Sequence, residues 1–281
     1  MLPLNNTPPE GFTRGERGAA RRAGAARVGQ DRRMARAARG TAADRGASGA
    51  PAAWGAVAAR LNRAVAACFV LGSGFFVLGA VLAELTAAGV VRCALVYLTG
   101  GVLFALGAWG AFLGCVNNPE SGTAGRWRWW AYRPMRLDWC SALLLLAGAW
   151  VFCVNLVDSL MRGLSAQQTD RLVWAPDMIG CTLFLVSGQL AVHQVRRAVT
   201  RSRDAAWWTA VVNQAGAALF MVAALADYTK DATGSPVNVH VANWATLGGA
   251  ACFLVGGVVQ WFVVPAAVPG PFGEADRPGT A

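Results

Sequence analysis

Three carboxylates, Glu84, Asp158 and Asp227, each close an apolar stretch of the chain, and Asp177 opens another. Desolvating a charge in a membrane is costly, so such groups are candidates for contact with an ion or substrate. A ring of three, repeated at one place in the pattern, would form the mouth of a path for a cation or a cationic small molecule. The alternative is a set of wet helix ends paired with Arg92, Arg162, Arg171 and Lys230. Carboxylates at helix C-termini oppose the macrodipole, which argues mildly against a purely stabilising role. Deeper in the apolar stretches lie Asn155, Gln189, Asn213 and Gln214. They either hydrogen-bond across helices, worth about 0.6 kcal/mol on average, or line a polar path.

Other chemistry is thin. His193 and His240 fall at opposite ends of their stretches and cannot share a site. The seven cysteines all lie in or beside apolar segments without metal-ligand spacing, as small buried thiols do. No nucleophile with a nearby His and carboxylate, and no phosphate-binding glycine loop, is visible. The sequence therefore predicts neither an enzyme nor a metal or cofactor.

The elements that must position these residues are membrane helices. The chain has 281 residues, 55% hydrophobic and 14% charged, whereas soluble domains carry about 25% charged residues. Six apolar stretches, at about 64–87, 93–116, 138–160, 173–193, 205–227 and 240–264, are each long enough to span about 30 Å of hydrocarbon as a helix. Pro176, beside Asp177, is expected to soften the start of the fourth. Residues 1–62, rich in Ala, Arg, Gly and Pro, read as a disordered cytoplasmic tail, in which Met34 offers a second start. Residues 63–265 form the membrane domain and 266–281 a short second tail. Basic residues set the orientation: 21 fall with the two tails and the connections 117–137 and 194–204, and four on the other side. Both termini are therefore expected in the cytoplasm of a bacterial plasma membrane, and the single lysine among 24 arginines suggests a GC-rich genome. Trp127, Trp129, Trp130, Tyr132, Trp139, Trp207, Trp208 and Trp261 would anchor the inner interface, with Tyr97, Trp174, Tyr228 and Trp244 at the outer one. The stretch Arg126–Arg136 is expected to lie along the inner surface. Arginines there and in the N-terminal tail would favour anionic lipids, and nothing points to nucleic acid.

A repeated unit runs through all six stretches. Gly and Phe are paired four residues apart at Gly72/Phe76, Gly100/Phe104, Gly148/Phe152, Gly180/Phe184, Gly216/Phe220 and Gly249/Phe253. Three residues after each Phe comes Gly79, Gly107, Asn155, Ser187, Ala223 or Gly256, small in five cases and Asn155 in the sixth. These offsets place the set on one helix face. In lipid, helices associate by close packing, so a small residue that lets backbones approach, beside a ring that fills the space above, is a packing device. Trp139 and Trp207 each precede their glycine by nine residues. The implied fold class is an all-α membrane protein of six transmembrane helices, built as three tandem helical-hairpin repeats: 64–116, 138–193 and 205–264.

The hairpin whose best copy is Ile179-Gly-Cys-Thr-Leu-Phe-Leu-Val-Ser-Gly188 resembles the YrhK-like family of small bacterial membrane proteins. The resemblance covers about 64–264 as three units and departs from the pattern at Asn155 and Ala223. It implies a two-helix unit and no chemistry. The first functional expectation is a non-enzymatic membrane protein of structural, assembly or sensing type, with a second copy or another membrane protein as partner. The second is a small transporter or channel, which requires a polar lining from the acidic ring past Asn155 to Gln189 or Asn213.

Overall fold

Backbone polar groups find no water in lipid and must pair within their own segment, so apolar stretches of this length fold as helices. The computed structural model describes residues 55–86, 89–117, 127–198, 205–230 and 233–262. Six helical segments in it are long and apolar enough to cross a membrane, as a multi-pass membrane protein requires. The first is α1 (Gly55–Leu85), followed by α2 (Val90–Val116) and α3 (Leu137–Asp158). The fourth is continuous from α4 (Ala166–Thr169) through a π-helical turn (Asp170–Trp174) into α5 (Ala175–Ala198). Then come α6 (Ala205–Ala226), a small antiparallel hairpin of β1 (Thr229–Lys230) and β2 (Ser235–Pro236), and α7 (Val239–Phe262).

Several boundaries differ from the sequence reading. The segment assigned to the disordered tail is helical from Gly55, because Ala and Arg are good helix formers and Leu61 has Gly110 and Gly114 to pack against. The rest of that tail, the second tail, and Arg126 lie outside the described residues. The fourth segment begins at Ala166, where Ser165 and Gln168 form a reciprocal capping box. Its π turn has a local cause. Pro176 has no N–H to give to the helix, and the turn just before it closes with the Ala175 N–H on the Asp170 carbonyl.

The helices pack in chain order and close on themselves. Consecutive segments touch throughout, and α7 returns to α1. That last seam holds Asn62 and Gln260, joined by two hydrogen bonds of 3.1 Å, and Gly257 against Val70. Within each hairpin the paired glycines meet. A Cβ on Gly72 would lie 2.8 Å from the Phe104 backbone nitrogen, and one on Gly100 would lie 2.8 Å from the Gly72 carbonyl oxygen. Gly216 and Gly249 approach as closely, with 2.9 and 3.0 Å to each other's carbonyl oxygens. The pair in the middle hairpin is looser on one side: Gly148 is pressed against the Phe184 ring, but a Cβ on Gly180 would find nothing nearer than 3.4 Å.

The six phenylalanines of the repeated unit converge inside the ring. Phe76, Phe152 and Phe220, from α1, α3 and α6, form one triangle with centroids 5.6, 6.1 and 6.2 Å apart. Phe104, Phe184 and Phe253, from α2, α5 and α7, form a second, at 5.7, 5.3 and 6.3 Å. The two triangles touch through Phe152–Phe184 and Phe220–Phe253.

The aromatic anchors divide. Trp129, Tyr132 and Met135 are exposed on an irregular segment, as expected of residues at a membrane surface. Trp139 is instead a core residue, 4% exposed, packed on Phe112, with its Nε1 donating to the Ala131 carbonyl at 2.6 Å. Trp174 is partly buried and ties the fourth segment to α6 by donating from Nε1 to the Ala224 carbonyl at 2.8 Å.

Candidate functional site: two cavities across a phenylalanine waist

Counting the six membrane-crossing segments in chain order, the odd-helix triangle of Phe76, Phe152 and Phe220, from the first, third and fifth, lines a cavity of about 370 Å³ that opens toward the acidic end of the bundle. All six membrane-crossing segments contribute to its wall. Its polar lining comes from Asn155, Ser159, Asp177, Asp227, Tyr97, Asn243 and Thr246, and Ala83, Ala94, Ala223 and Ala242 present methyl groups between them.

The sequence candidates separate here. Asp177 stands just beyond the π turn and accepts from Asn155 Nδ2 at 3.0 Å. Asp227, directly after α6, faces the same space, close enough for the two charges to repel. Asn155, the one departure from the small residue after Phe, is only 5% exposed and therefore sits inside the bundle where a helix contact would otherwise be. The other two members of the expected acidic ring are placed elsewhere. Glu84 accepts from Asn243 Nδ2 at 2.9 Å and pairs with His240 Nδ1 at 2.7 Å, binding α1 to α7. Asp158 is half-buried and does not line the cavity. The three end carboxylates stand 12, 10 and 11 residues after their glycines, and a helix turns 100° per residue. Those offsets send the three side chains in different directions. That arithmetic was available from the sequence.

Toward the opposite end, the even-helix triangle of Phe104, Phe184 and Phe253 lines a second cavity, of about 100 Å³, again walled by all six segments. Asn213, Ser141 and Ser187 give it polar edges. The two serines also bond each other's helices, Ser141 Oγ to the Ser187 carbonyl at 2.9 Å and Ser187 Oγ to the Ser141 carbonyl at 2.7 Å. Asn213 Oδ1 is buried without a partner among the described residues and abuts Gly256. Gln189 does not line this cavity. It is exposed and meets Gln214 Nε2 at 3.4 Å.

Between the triangles remains a gap of about 10 Å³, lined by Ser73, Gly101 and Ala149 besides the rings. Ser73 is 1% exposed and its hydroxyl has no partner among the described residues. A stable buried water needs on the order of 10–15 Å³ and two or more polar partners. One hydroxyl among phenyl rings does not meet that requirement, so the waist is apolar and closed. The polar lining required of a path is interrupted here and present on either side.

Among the described residues no group of three or more His, Cys, Asp or Glu side chains is placed to hold a metal ion. No family model, no curated protein and no solved structure matches the chain.

Proposed function

We propose that the protein is a non-enzymatic conduit of a bacterial plasma membrane for a small cation or cationic molecule, closed at its waist by six phenylalanines. The observation that carries this reading is the pair of cavities, each walled by all six segments, that meet across the two phenylalanine triangles. Hydrophobic constrictions of this kind gate by excluding water. Two carboxylates in the larger cavity give it cation preference. The purely structural reading explains the glycine seams equally well, but gives no reason for a ring to surround two polar-edged spaces.

The architecture in this proposal is three tandem hairpins related by an axis along the membrane normal. It is supported by the glycine contact inside each hairpin and by the single phenylalanine that each hairpin lends to each triangle. Kinship with the YrhK-like proteins would follow from the same hairpin. Both termini and the basic connections lie in the cytoplasm, so the acidic cavity faces outward. The exposed Trp129 and Tyr132, interleaved with Arg128 and Arg133, rest on anionic lipid at the inner surface.

Ion flux in proteoliposomes tests the conduit. The double variant Phe76→Ala/Phe104→Ala removes one ring from each triangle and should raise cation leak several-fold over wild type. A variant that folds, elutes like wild type and stays as tight as empty vesicles would leave a structural role as the better reading.

A further inference from the structure

We infer that the acidic cavity is a binding site for a protonated alkylamine, an N–H-bearing organic cation, and not for a metal ion. The inference rests on the conduit reading for its route and names its cargo.

The ionisable groups that the cavity offers besides Tyr97 and two thiols are both carboxylates, Asp177 and Asp227. Asn155 is the informative neighbour. Asp177 can only accept when ionised, so the Asn155 amide must turn Nδ2 toward it, and that bond fixes the side chain's orientation. Oδ1 of Asn155 is then left without a partner among the described residues, on a side chain 5% exposed that lines the cavity. That oxygen is open to the cavity and accepts when an N–H is brought to it. Asp177 uses one carboxylate oxygen on Asn155 and has no ion-pair partner among the described residues. Asp227 has neither a side-chain hydrogen bond nor an ion pair among them. Three side chains on three different helical segments thus face one space with acceptor capacity still unused among the described residues.

The rest of the wall excludes the other cations. A divalent metal takes six or more oxygens at close range, and much of this surface is alanine methyl groups and phenyl rings. A volume of about 370 Å³ lies at the low end of small-molecule sites and is far more than a bare ion needs. The odd-helix triangle beneath, with Tyr97 set 5.8 Å from Phe76, supplies π-systems that attract a cation whose charge is only partly hydrated. An ammonium head on Asn155, Asp177 and Asp227, with its alkyl part on the rings and methyl groups, matches both halves.

The test is calorimetric titration of the full-length protein in lipid nanodiscs with n-butylammonium, tetramethylammonium, sodium and calcium chlorides. Butylammonium should bind saturably. Tetramethylammonium, which has the charge but no N–H, should bind about tenfold more weakly, the scale of one lost hydrogen bond to a charged group. Asp227→Asn and Asn155→Leu should each weaken butylammonium about tenfold or more. Asp227→Asn removes no hydrogen bond or ion pair among the described residues, so it keeps the test valid if the Asn155 variant fails to fold. Equal binding of the two ammonium ions, tighter binding of calcium or sodium, or no effect of Asp227→Asn would each overturn the site. Alkylamine binding with no flux in any phenylalanine variant supports the site and overturns the conduit. Sodium leak through those variants with no alkylamine binding does the reverse.

Discussion

At the scale of the residue, what matters is whether a side chain has a partner inside the fold. Glu84 has two on α7, so Glu84→Gln should lower the midpoint of thermal unfolding. Asp227 has no hydrogen bond or ion pair among the described residues and repels Asp177, so Asp227→Asn should hold or raise the melting temperature while weakening ligand binding. A shared drop in both variants would mean that Asp227 is structural. The glycines separate in the same way. Gly72→Ala puts a Cβ into backbone 2.8 Å away and should cost roughly 1–3 kcal/mol, while Gly180→Ala should fold like wild type because its nearest neighbour is at 3.4 Å. In the sequence Gly180 belongs to the best-formed copy of the unit. The pattern identifies which residues face a neighbouring helix, but not how closely that neighbour approaches. Asn155 was legible as an exception. What it bonds to was not, because Asp177 lies on another helix and only packing brings them together.

At the scale of the element, the six segments were plain from apolar length alone, and their ends were not. Hydropathy reports where lipid solvates a helix. It does not report where hydrogen bonding begins. The fourth segment therefore starts ahead of its apolar core, at a cap written in the sequence as Ser165 followed by Gln168. Ser165→Ala should weaken that first turn by about 1 kcal/mol, visible as faster amide exchange over α4 with no change in α6 or α7. Pro176 reads in the sequence as a softening of the helix start. Its observed counterpart is a π turn immediately before it, which shifts the register of α5 and so helps aim Asp177 into the cavity. The β1–β2 hairpin went unread because two-residue strands have no periodicity to detect. It helps to seat this end of the fourth segment, since Asp170 Oδ1 accepts the Thr229 backbone N–H at 3.2 Å.

At the scale of the whole molecule, the charge count of the connections predicts that reporter domains fused to either terminus stay on the cytoplasmic side. A fusion that reaches the outer compartment would invert the roles of the two cavities. The order of helices around the ring could not be read from a packing motif common to all six, since each face is compatible with any other. Packing between consecutive segments and the closing seam between α1 and α7 decide it. In the threefold reading, one further consequence concerns heredity. A ring assembled from three separate copies of one hairpin must repeat every side chain three times at each level. Joined in one gene, such copies are free to differ, and the residue following the odd-helix glycine is Ser73 in one sector while Ala149 and Ala217 occupy the other two. The waist is therefore lopsided, with its only hydroxyl among the described residues on the α1 side. Selection can tune the ease of opening from that sector alone, without disturbing the other two thirds of the circle.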